Sequence, residues 1–122
     1  MNFEALYAIL AAVARGRDQI TYGWLSDQYL GATGEWHRPH GSWDDPLGQL
    51  NRMLYAIGWP PLSAVVVNQE TREPGARFWE SSPNVPRWPA NAEDRIVRYG
   101  QILAAVHAAQ WPDAFLIGPP RP

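Results

Sequence analysis

The chain of 122 residues has no cysteine, and this absence excludes disulfide bonds and metal sites built on thiolates. It has no lysine either, since all ten basic residues are arginine. Without lysine, the glycine-rich loop that places a lysine on nucleotide phosphates is also excluded. Arginine favours planar, bidentate contacts. An arginine-only composition is equally expected of a protein encoded by a G+C-rich genome, so it indicates no function by itself.

A charged-then-apolar leader and long apolar runs are missing as well. No run approaches the ~20 apolar residues that a helix needs to span a bilayer, and the start of the sequence lacks the pattern of a signal peptide. We therefore expect a cytoplasmic protein with no membrane partner. The length predicts a single domain, residues 1–122, which is large enough to bury a core.

An excess of positive charge is the third feature that the chain lacks. Its 12 acidic residues outnumber its 10 basic ones, which gives a net charge of −2 and an isoelectric point near 5.8. Proteins that bind duplex nucleic acid usually gather several cations on one surface, because these displace counterions from phosphate. Any nucleic-acid binding by this chain must therefore come from local clustering of its arginines.

Two helices are predicted in the first quarter of the chain. Apolar residues at helical spacing predict a first helix over residues 2–15, with Asn2 as its N-cap. A second helix is predicted over residues 24–30, between an N-cap at Thr21 and a stop at Gly31. A short extended link joins the two.

A third helix begins at Asp44 and Asp45, whose carboxylates can accept bonds from the free N–H groups of its first turn. Gly58 can adopt a left-handed conformation just past its end, and the following prolines prevent its continuation. The predicted buried stripe of this helix consists of Leu47, Leu50, Leu54 and Ile57.

A β-hairpin is predicted directly after the third helix. The valine run in residues 62–68 suits a strand, residues 69–75 contain a Pro-Gly turn, and residues 76–79 read as a short returning strand. A helix followed by a hairpin forms the second half of a winged helix. The predicted fold is therefore mainly α with a small β-hairpin: a winged helix-turn-helix with an added C-terminal helix.

Three further segments complete the predicted organisation. Residues 31–43 form an insertion loop, which is long for a connection between helices, and residues 80–90 form a Pro- and Trp-containing strap that runs extended across the surface. The C-terminal helix covers residues 91–110, and the last residues, 117–122, are predicted to be a poorly ordered tail. The C-terminal helix starts at the N-cap Asn91, and its predicted apolar stripe is Ile96, Tyr99, Leu103 and Val106, widened by Val97 and Ile102.

Candidate nucleic-acid contacts lie on the third helix and on the predicted wing. With the leucine stripe inside, the outward side chains of this helix are of the types that reach base edges in a major groove. The wing would contact the backbone or the minor groove, although Glu70 and Glu73 in its tip would repel phosphate. The candidate residues are Gln49, Asn51, Arg52 and Tyr55 on the helix and Asn68, Arg72 and Arg77 on the wing. The same residues also suit an ordinary solvated surface.

A protein-binding surface is the alternative. The insertion loop and the strap carry the types of side chain that usually anchor protein interfaces. The candidate residues are Trp36, Arg38, Trp43 and Trp88. Trp36 and Trp43 could equally fold back over the edge of the core.

No catalytic motif, metal site or cofactor site is predicted. His37 and His40 lie three apart, but Pro39 stands between them, and such histidine pairs usually share a metal from a helix face. No serine lies in the glycine pattern of a nucleophile elbow. We therefore expect a protein that is not an enzyme and that uses no cofactor.

Three short motifs resemble a known family. Ile20-Thr21-Tyr22-Gly23, Pro46-Leu47-Gly48 and Val65-Val66-Val67-Asn68 occur in an order similar to that of the winged-helix domain of the O6-alkylguanine alkyltransferases and alkyltransferase-like proteins. The resemblance covers residues 20–75, and it implies a winged-helix fold and contact with DNA. At the position of the family's reactive cysteine this chain has Ser63, and near the position of its inserted arginine it has Pro46. The resemblance therefore does not imply alkyl transfer.

Two functions follow as expectations. The first is a non-enzymatic winged-helix protein of accessory or regulatory type that binds nucleic acid, with double-stranded DNA as the partner. The second is a protein-interaction module, such as an inhibitor or accessory protein of a phage or mobile element, that uses the wing, the Trp-rich loop and the strap. The C-terminal helix could also support a dimer.

Overall fold

Helices dominate the part of the chain that the structure describes. The computed structural model describes residues 1–115. Its elements, in chain order, are α1 (Phe3–Arg15), β1 (Ile20–Thr21), α2 (Tyr22–Thr33), α3 (Asp44–Ala56), a first 3₁₀-helix (Leu62–Val65), β2 (Val66–Val67), a second 3₁₀-helix (Ala76–Phe78) and α4 (Ala92–Ala108). The predicted tail at residues 117–122 lies outside the described residues. None of the described helices is both long enough and apolar enough to cross a membrane.

Three helices begin at the polar N-caps that the sequence predicts. The Asn2 side chain accepts a hydrogen bond from the backbone N–H of Ala5 at 3.0 Å, and Thr21 Oγ1 accepts one from the N–H of Trp24 at 3.1 Å. The Asn91 side chain accepts from two N–H groups in the first turn of α4. Each bond satisfies a donor that the helix itself leaves unpaired.

Helix α2 continues past its predicted stop. Gly31 lies inside the helix, and the chain leaves it only at Gly34, which adopts a left-handed conformation with φ of +78°. The N–H of Gly34 donates to the carbonyl of Leu30 at 2.8 Å and so satisfies one of the last carbonyls of α2. The loop between α2 and α3 is therefore shorter than the predicted insertion at residues 31–43.

The sheet is not the predicted hairpin. β1 and β2 are parallel, with Ile20 opposite Val66, and the predicted returning strand at residues 76–79 contains the second 3₁₀-helix instead. Residues 62–67 are all buried, so they show no alternation, and an apolar run of this length cannot be assigned to a strand by periodicity alone. The prediction that the sheet has only two strands is confirmed for residues 1–115.

The first 3₁₀-helix lies at the centre of the core, packed against α1, α3 and α4. The Tyr99 hydroxyl of α4 donates to the Ala64 carbonyl at 2.7 Å, and Gln19 Nε2 donates to the same hydroxyl at 2.7 Å. Burial raises the pKa of Tyr99 to about 12. These bonds join α4 and the start of β1 to the centre of the molecule.

Three residues predicted to be buried are exposed. Ile57 follows the last residue of α3, where the chain turns away at Gly58 in a left-handed conformation. On α4, Tyr99 and Val106 are buried as expected, whereas Ile96 and Val97 are exposed. The elements packed against α4 therefore cover its middle and its end but leave its first turns uncovered.

The strap at residues 80–90 forms a closed loop and does not run extended. Glu80 has a left-handed φ of +61°, and its N–H donates to the Pro86 carbonyl at 3.1 Å. Inside this loop the N–H of Val85 donates to the Ser82 carbonyl at 2.9 Å, and both residues are buried. The prolines therefore terminate regular structure, as expected, but the chain between them folds back on itself.

Candidate nucleic-acid interface

Trp43 fixes the start of α3. Its side chain is 0% exposed, and its ring packs against those of Tyr29 and His37, with ring centroids 5.3 and 4.9 Å away. The indole Nε1 donates to Ser26 Oγ at 2.9 Å. Trp43 occupies the N-cap position of α3 without a side-chain cap bond, so the predicted capping by the two aspartates that follow is wrong. Its burial also excludes the predicted contact between this ring and a partner in this conformation.

Asn51 lies inside the protein and not on the outward face of α3. Its Nδ2 donates to Ser63 Oγ at 2.7 Å and to Ser81 Oγ at 3.0 Å, and its Oδ1 accepts from the N–H of Ser63 at 3.1 Å. The predicted role of Asn51 in reading bases is therefore wrong for this structure. Its position four residues after Leu47 and three before Leu54 is a signal that it shares their buried stripe.

The other three candidates on α3 are exposed, as predicted. Gln49, Arg52 and Tyr55 are spaced three residues apart, so they follow one edge of the helix. The Arg52 side chain lies back over Gly48, where a Cβ atom would come within 3.2 Å of Nη1, and this nitrogen donates to the Ser81 carbonyl at 3.2 Å. No described carboxylate lies within 4 Å of Arg52. The guanidinium is thus positioned by one hydrogen bond and keeps its remaining donors available.

Arg77 is engaged by two carboxylates at the start of α3. Its Nη2 lies 2.9 Å from Asp45 Oδ1, and its Nη1 lies 3.8 Å from Asp44 Oδ2. Arg77 and these two aspartates border a groove of about 310 Å³, which Arg52 and Glu80 also line. A phosphate contact by Arg77 would have to compete with these aspartates. The charge at this end of α3 is therefore mixed, and the predicted grouping of arginines is weaker than the sequence suggested.

The segment that follows β2 folds into a tight loop where a wing was predicted. The N–H of Asn68 donates to the Glu73 carbonyl at 2.8 Å, and the N–H of Arg72 donates to the Asn68 carbonyl at 2.9 Å. The loop is tied to α2 because the Tyr22 hydroxyl accepts from the N–H of Gly75 at 2.9 Å. Burial of this phenol raises its pKa.

The charges in this loop are distributed unevenly. Arg95 Nε lies 3.0 Å from Glu73 Oε1, and both side chains are largely shielded from solvent. Glu73 is therefore neutralised by α4 and repels phosphate less than its position in the sequence implies. Arg72 is exposed, has a left-handed φ of +59°, and has no described carboxylate within 4 Å. Asn68, whose carbonyl accepts from the N–H of Arg72, is half-buried.

The candidates for protein binding are dispersed. Trp36 is 54% exposed, and Arg38 beside it is exposed as well, with its carbonyl accepting from the Ser42 hydroxyl. Trp88 lies in the strap on another part of the chain, with the Arg95 guanidinium 4.7 Å from its ring centroid. The predicted set therefore has two exposed tryptophans without a shared cluster among the described contacts, and one buried tryptophan at position 43.

Ser63, which the resemblance aligns with the reactive cysteine of the alkyltransferases, is enclosed. It is 4% exposed, its hydroxyl accepts from Asn51, and the cavity beside it has a volume of only about 10 Å³. A base would not fit in that space. Within residues 1–115, no three His, Asp or Glu side chains are grouped so that they could hold a metal ion.

Comparison of the chain with protein-family models, with curated proteins and with solved structures found no match. A functional proposal therefore rests on the geometry of this chain alone.

Proposed function

We propose that the protein is a cytoplasmic winged-helix protein that binds double-stranded nucleic acid through the exposed edge of α3. Gln49, Arg52 and Tyr55 form the helix contacts, and Arg72 reaches the backbone from the loop after β2. Asn51 holds α3 in place and does not touch the partner. The resemblance to the alkyltransferase family supports this proposal only at the level of fold, and the enclosed Ser63 has no part in it.

The order of elements supports a winged-helix assignment. Three helices precede the loop, and the short strand between the first two, β1, pairs with the strand that follows the third, β2. In the proposed assignment the loop that begins at Asn68 serves as the wing, and α3 packs against the two 3₁₀-helices that flank this loop. The returning strand of a regular wing is absent from this loop, and the 3₁₀-helix at Ala76–Phe78 takes its place.

The observation that carries the proposal is the state of Arg52. It lies between two exposed polar side chains, Gln49 and Tyr55, on a helix edge, and the Ser81 carbonyl holds its guanidinium in place. An arginine that is positioned but not ion-paired keeps donors in the fork geometry that matches guanine or phosphate. Nearby, Arg77 offsets one of the two negative charges of Asp44 and Asp45, which lowers but does not remove their repulsion of a phosphate backbone.

The first test is binding of random-sequence duplex DNA as a function of salt. With Arg72 as the phosphate contact, the slope of log K against log salt is expected to be about −1. Arg52→Ala is expected to weaken binding by about 1–3 kcal/mol and to relax sequence preference, because it removes a base contact. Arg72→Ala is expected to weaken binding to all sequences alike and to flatten the salt slope by about one unit.

Arg98→Ala is the matched control, since Arg98 is an exposed arginine on α4 that has no ion pair among the described residues. This variant should bind duplex like the unmodified protein. Wild-type affinity in both the Arg52 and Arg72 variants, or no duplex binding at low salt, would exclude this surface.

A second candidate function is a protein-interaction module, and the exposure of apolar side chains favours it. Ile96 is 60% exposed beside Val97 on the uncovered turns of α4, and Trp36 stands out from the loop before α3. Large apolar side chains in such positions are typical of contact surfaces. If this is the function, Trp36→Ala removes partner binding, and Ile96→Glu converts any dimer formed through α4 to a monomer in light scattering.

A further inference from the structure

A second surface groove lies on the side of the molecule formed by α1, α2 and β1. Its volume is about 510 Å³, and it extends to Arg72 in the loop after β2. Ile9 and Val13 of α1 contribute an apolar wall, and Gln28 of α2 adds an amide. This volume lies within the range of small-ligand sites in proteins.

Trp24 provides a free aromatic surface in this groove. It is 44% exposed although it lies on the first turn of α2, where its neighbour Leu25 is completely buried. Among the described residues its ring pairs with no other aromatic ring, whereas Trp43, Trp59, Trp79, Trp88 and Trp111 all do. An accessible indole beside an apolar wall can stack a planar ring, and base–aromatic stacking of this kind is tolerant of base identity.

Two charged side chains line the groove, Asp18 and Arg72. Asp18 lies two residues before β1 and Arg72 lies five residues after β2, so the two residues are attached to opposite ends of the parallel strand pair. The groove is therefore lined by a carboxylate, an accessible indole and a guanidinium.

Both charged side chains retain bonding capacity. Arg72 is held in a left-handed conformation by the bond from its own N–H to the Asn68 carbonyl, and no described carboxylate lies within 4 Å of its guanidinium. A non-glycine residue adopts this conformation at a cost, and such strained residues cluster at functional sites. Asp18 uses one oxygen to accept from the N–H of Gln19 at 2.8 Å, so its second oxygen can accept from a ligand.

We propose that this groove binds one unpaired nucleotide of a single-stranded nucleic acid, with a base that carries an exocyclic amino group. The base stacks on Trp24, its amino group donates to Asp18, and its phosphate lies against Arg72. Cytosine fits because a carboxylate accepts from its N4 amino group, whereas thymine presents a carbonyl oxygen at that position.

A polynucleotide suits this groove better than a free nucleotide. The phosphate end holds a single arginine, without the glycine-rich backbone cradle that free nucleotides usually require. The groove also ends at the loop whose Arg72 belongs to the duplex surface, so a strand leaving the duplex can continue into it. The inference therefore rests on the proposed nucleic-acid binding, and its test must separate the two surfaces.

The experiment measures the anisotropy of labelled oligo(dC), oligo(dT) and random duplex with the full chain. Oligo(dC) is expected to bind about tenfold more tightly than oligo(dT), because one base contact discriminates by that order. Asp18→Asn should remove this preference, and Arg72→Gln should weaken both oligonucleotides alike. Trp24→Ala should weaken both single strands by about tenfold, the loss of one stacked base, and should leave duplex binding unchanged.

Trp36→Ala is the matched control, because Trp36 is an exposed tryptophan outside the groove. Thermal unfolding of each variant confirms its fold. Each of three results would overturn the inference: equal affinity for oligo(dC) and oligo(dT), an unchanged single-strand affinity of the Trp24→Ala variant, or competition by free CMP as strong as that by oligo(dC). If the protein binds duplex but no single strand, the inference about this groove is wrong and the proposed α3 surface still stands. Loss of duplex binding in the Arg52 variant, with single-strand binding retained, supports the α3 surface independently.

Discussion

At the scale of single residues, Asn51 joins three segments of the chain. One side chain bonds the backbone and hydroxyl of Ser63 in the central 3₁₀-helix and the hydroxyl of Ser81 after the second 3₁₀-helix. A buried amide with these three partners is well satisfied, and this is the condition under which a polar side chain is stable in a core. Asn51 thus sets the position of α3, and with it the position of the exposed edge that includes Arg52.

We predict that Asn51→Ala lowers the free energy of unfolding by about 3 kcal/mol, since several buried polar groups lose a partner at ~1–3 kcal/mol each. Gln49→Ala, on the exposed edge of the same helix, should change it by less than ~0.5 kcal/mol. Denaturant unfolding of the two variants gives both values. A stable Asn51 variant that has lost duplex binding would show instead that Asn51 contacts the partner.

Tyr99 gives the core a dependence on alkaline pH. Its hydroxyl must keep its proton in order to donate to the Ala64 carbonyl, and burial raises its pKa from 10.0 to about 12. A raised folded-state pKa contributes stability that is fully present below pH 10 and is lost as the pH rises towards 12. The loss is at most about 3 kcal/mol, at 1.36 kcal/mol for each pKa unit.

We predict that Tyr99→Phe is less stable than the unmodified protein at neutral pH by about 1–3 kcal/mol, because the Ala64 carbonyl and Gln19 lose their partner. Between pH 10 and 12 its stability should fall less steeply. The pKa values of Tyr7 and Tyr22 are also raised by burial, so some loss persists in the variant. If the free energy of unfolding falls with pH equally in both proteins between pH 10 and 12, the loss of the Tyr99 proton does not cause the alkaline destabilisation.

At the scale of elements, the two glycines at the end of α2 have opposite roles. Gly31 lies within the helix, and a Cβ atom added there would meet nothing within 4 Å. Gly34 adopts a left-handed φ of +78° at the C-cap. The backbone conformation, rather than the available space, therefore decides what each position tolerates.

Accordingly, Gly31→Ala should raise the free energy of unfolding by about 0.5–1 kcal/mol, because alanine loses less backbone entropy inside a helix. Gly34→Ala should lower it by about 1–2 kcal/mol, because an L side chain is strained in the left-handed conformation. Thermal unfolding of the pair compares the same substitution three residues apart. Destabilisation by both would place the true end of α2 at Gly31.

The elements that the sequence predicted best are those whose signals are local. The N-caps at Asn2, Thr21 and Asn91 and the left-handed Gly58 all depend on the nearest few residues, and each is confirmed. The parallel pairing of β1 with β2 joins residues 46 positions apart, as Ile20 and Val66 show. A two-residue strand leaves no hydrophobic period, so this pairing was not visible in the sequence.

The candidate site shows the same division between features set by local signals and features set by long-range contacts. Exposure of Gln49 and Arg52 followed from the helical stripe. The burial of Asn51 was missed because its polarity was given more weight than its position in that stripe. The bond between Arg77 and Asp45 spans 32 positions and depends on how the second 3₁₀-helix approaches α3. Tertiary contacts of this kind decide which cations remain available, and residue types alone do not determine them.

At the scale of the whole molecule, the chain closes through Trp111. This residue lies after α4, is 4% exposed, and stacks on Trp59 with ring centroids 5.0 Å apart. Its Nε1 donates to the Val106 carbonyl at 2.8 Å, and its own carbonyl accepts from Arg15 Nε of α1 at 3.1 Å. The segment after α4 is thereby held against the first helix and the segment that follows α3.

We predict that Trp111→Ala lowers the free energy of unfolding by about 3–5 kcal/mol, the usual cost of truncating a buried tryptophan. Trp36→Ala removes the same side chain from an exposed position and should cost less than ~0.5 kcal/mol. Denaturant unfolding gives both values, and near-ultraviolet circular dichroism reports the packing around Trp59. Since small domains have a stability of about 5–15 kcal/mol, the Trp111 variant should be close to unfolding at room temperature. Equal stability of the two variants would mean that the end of the chain contributes nothing to holding α4 against α1.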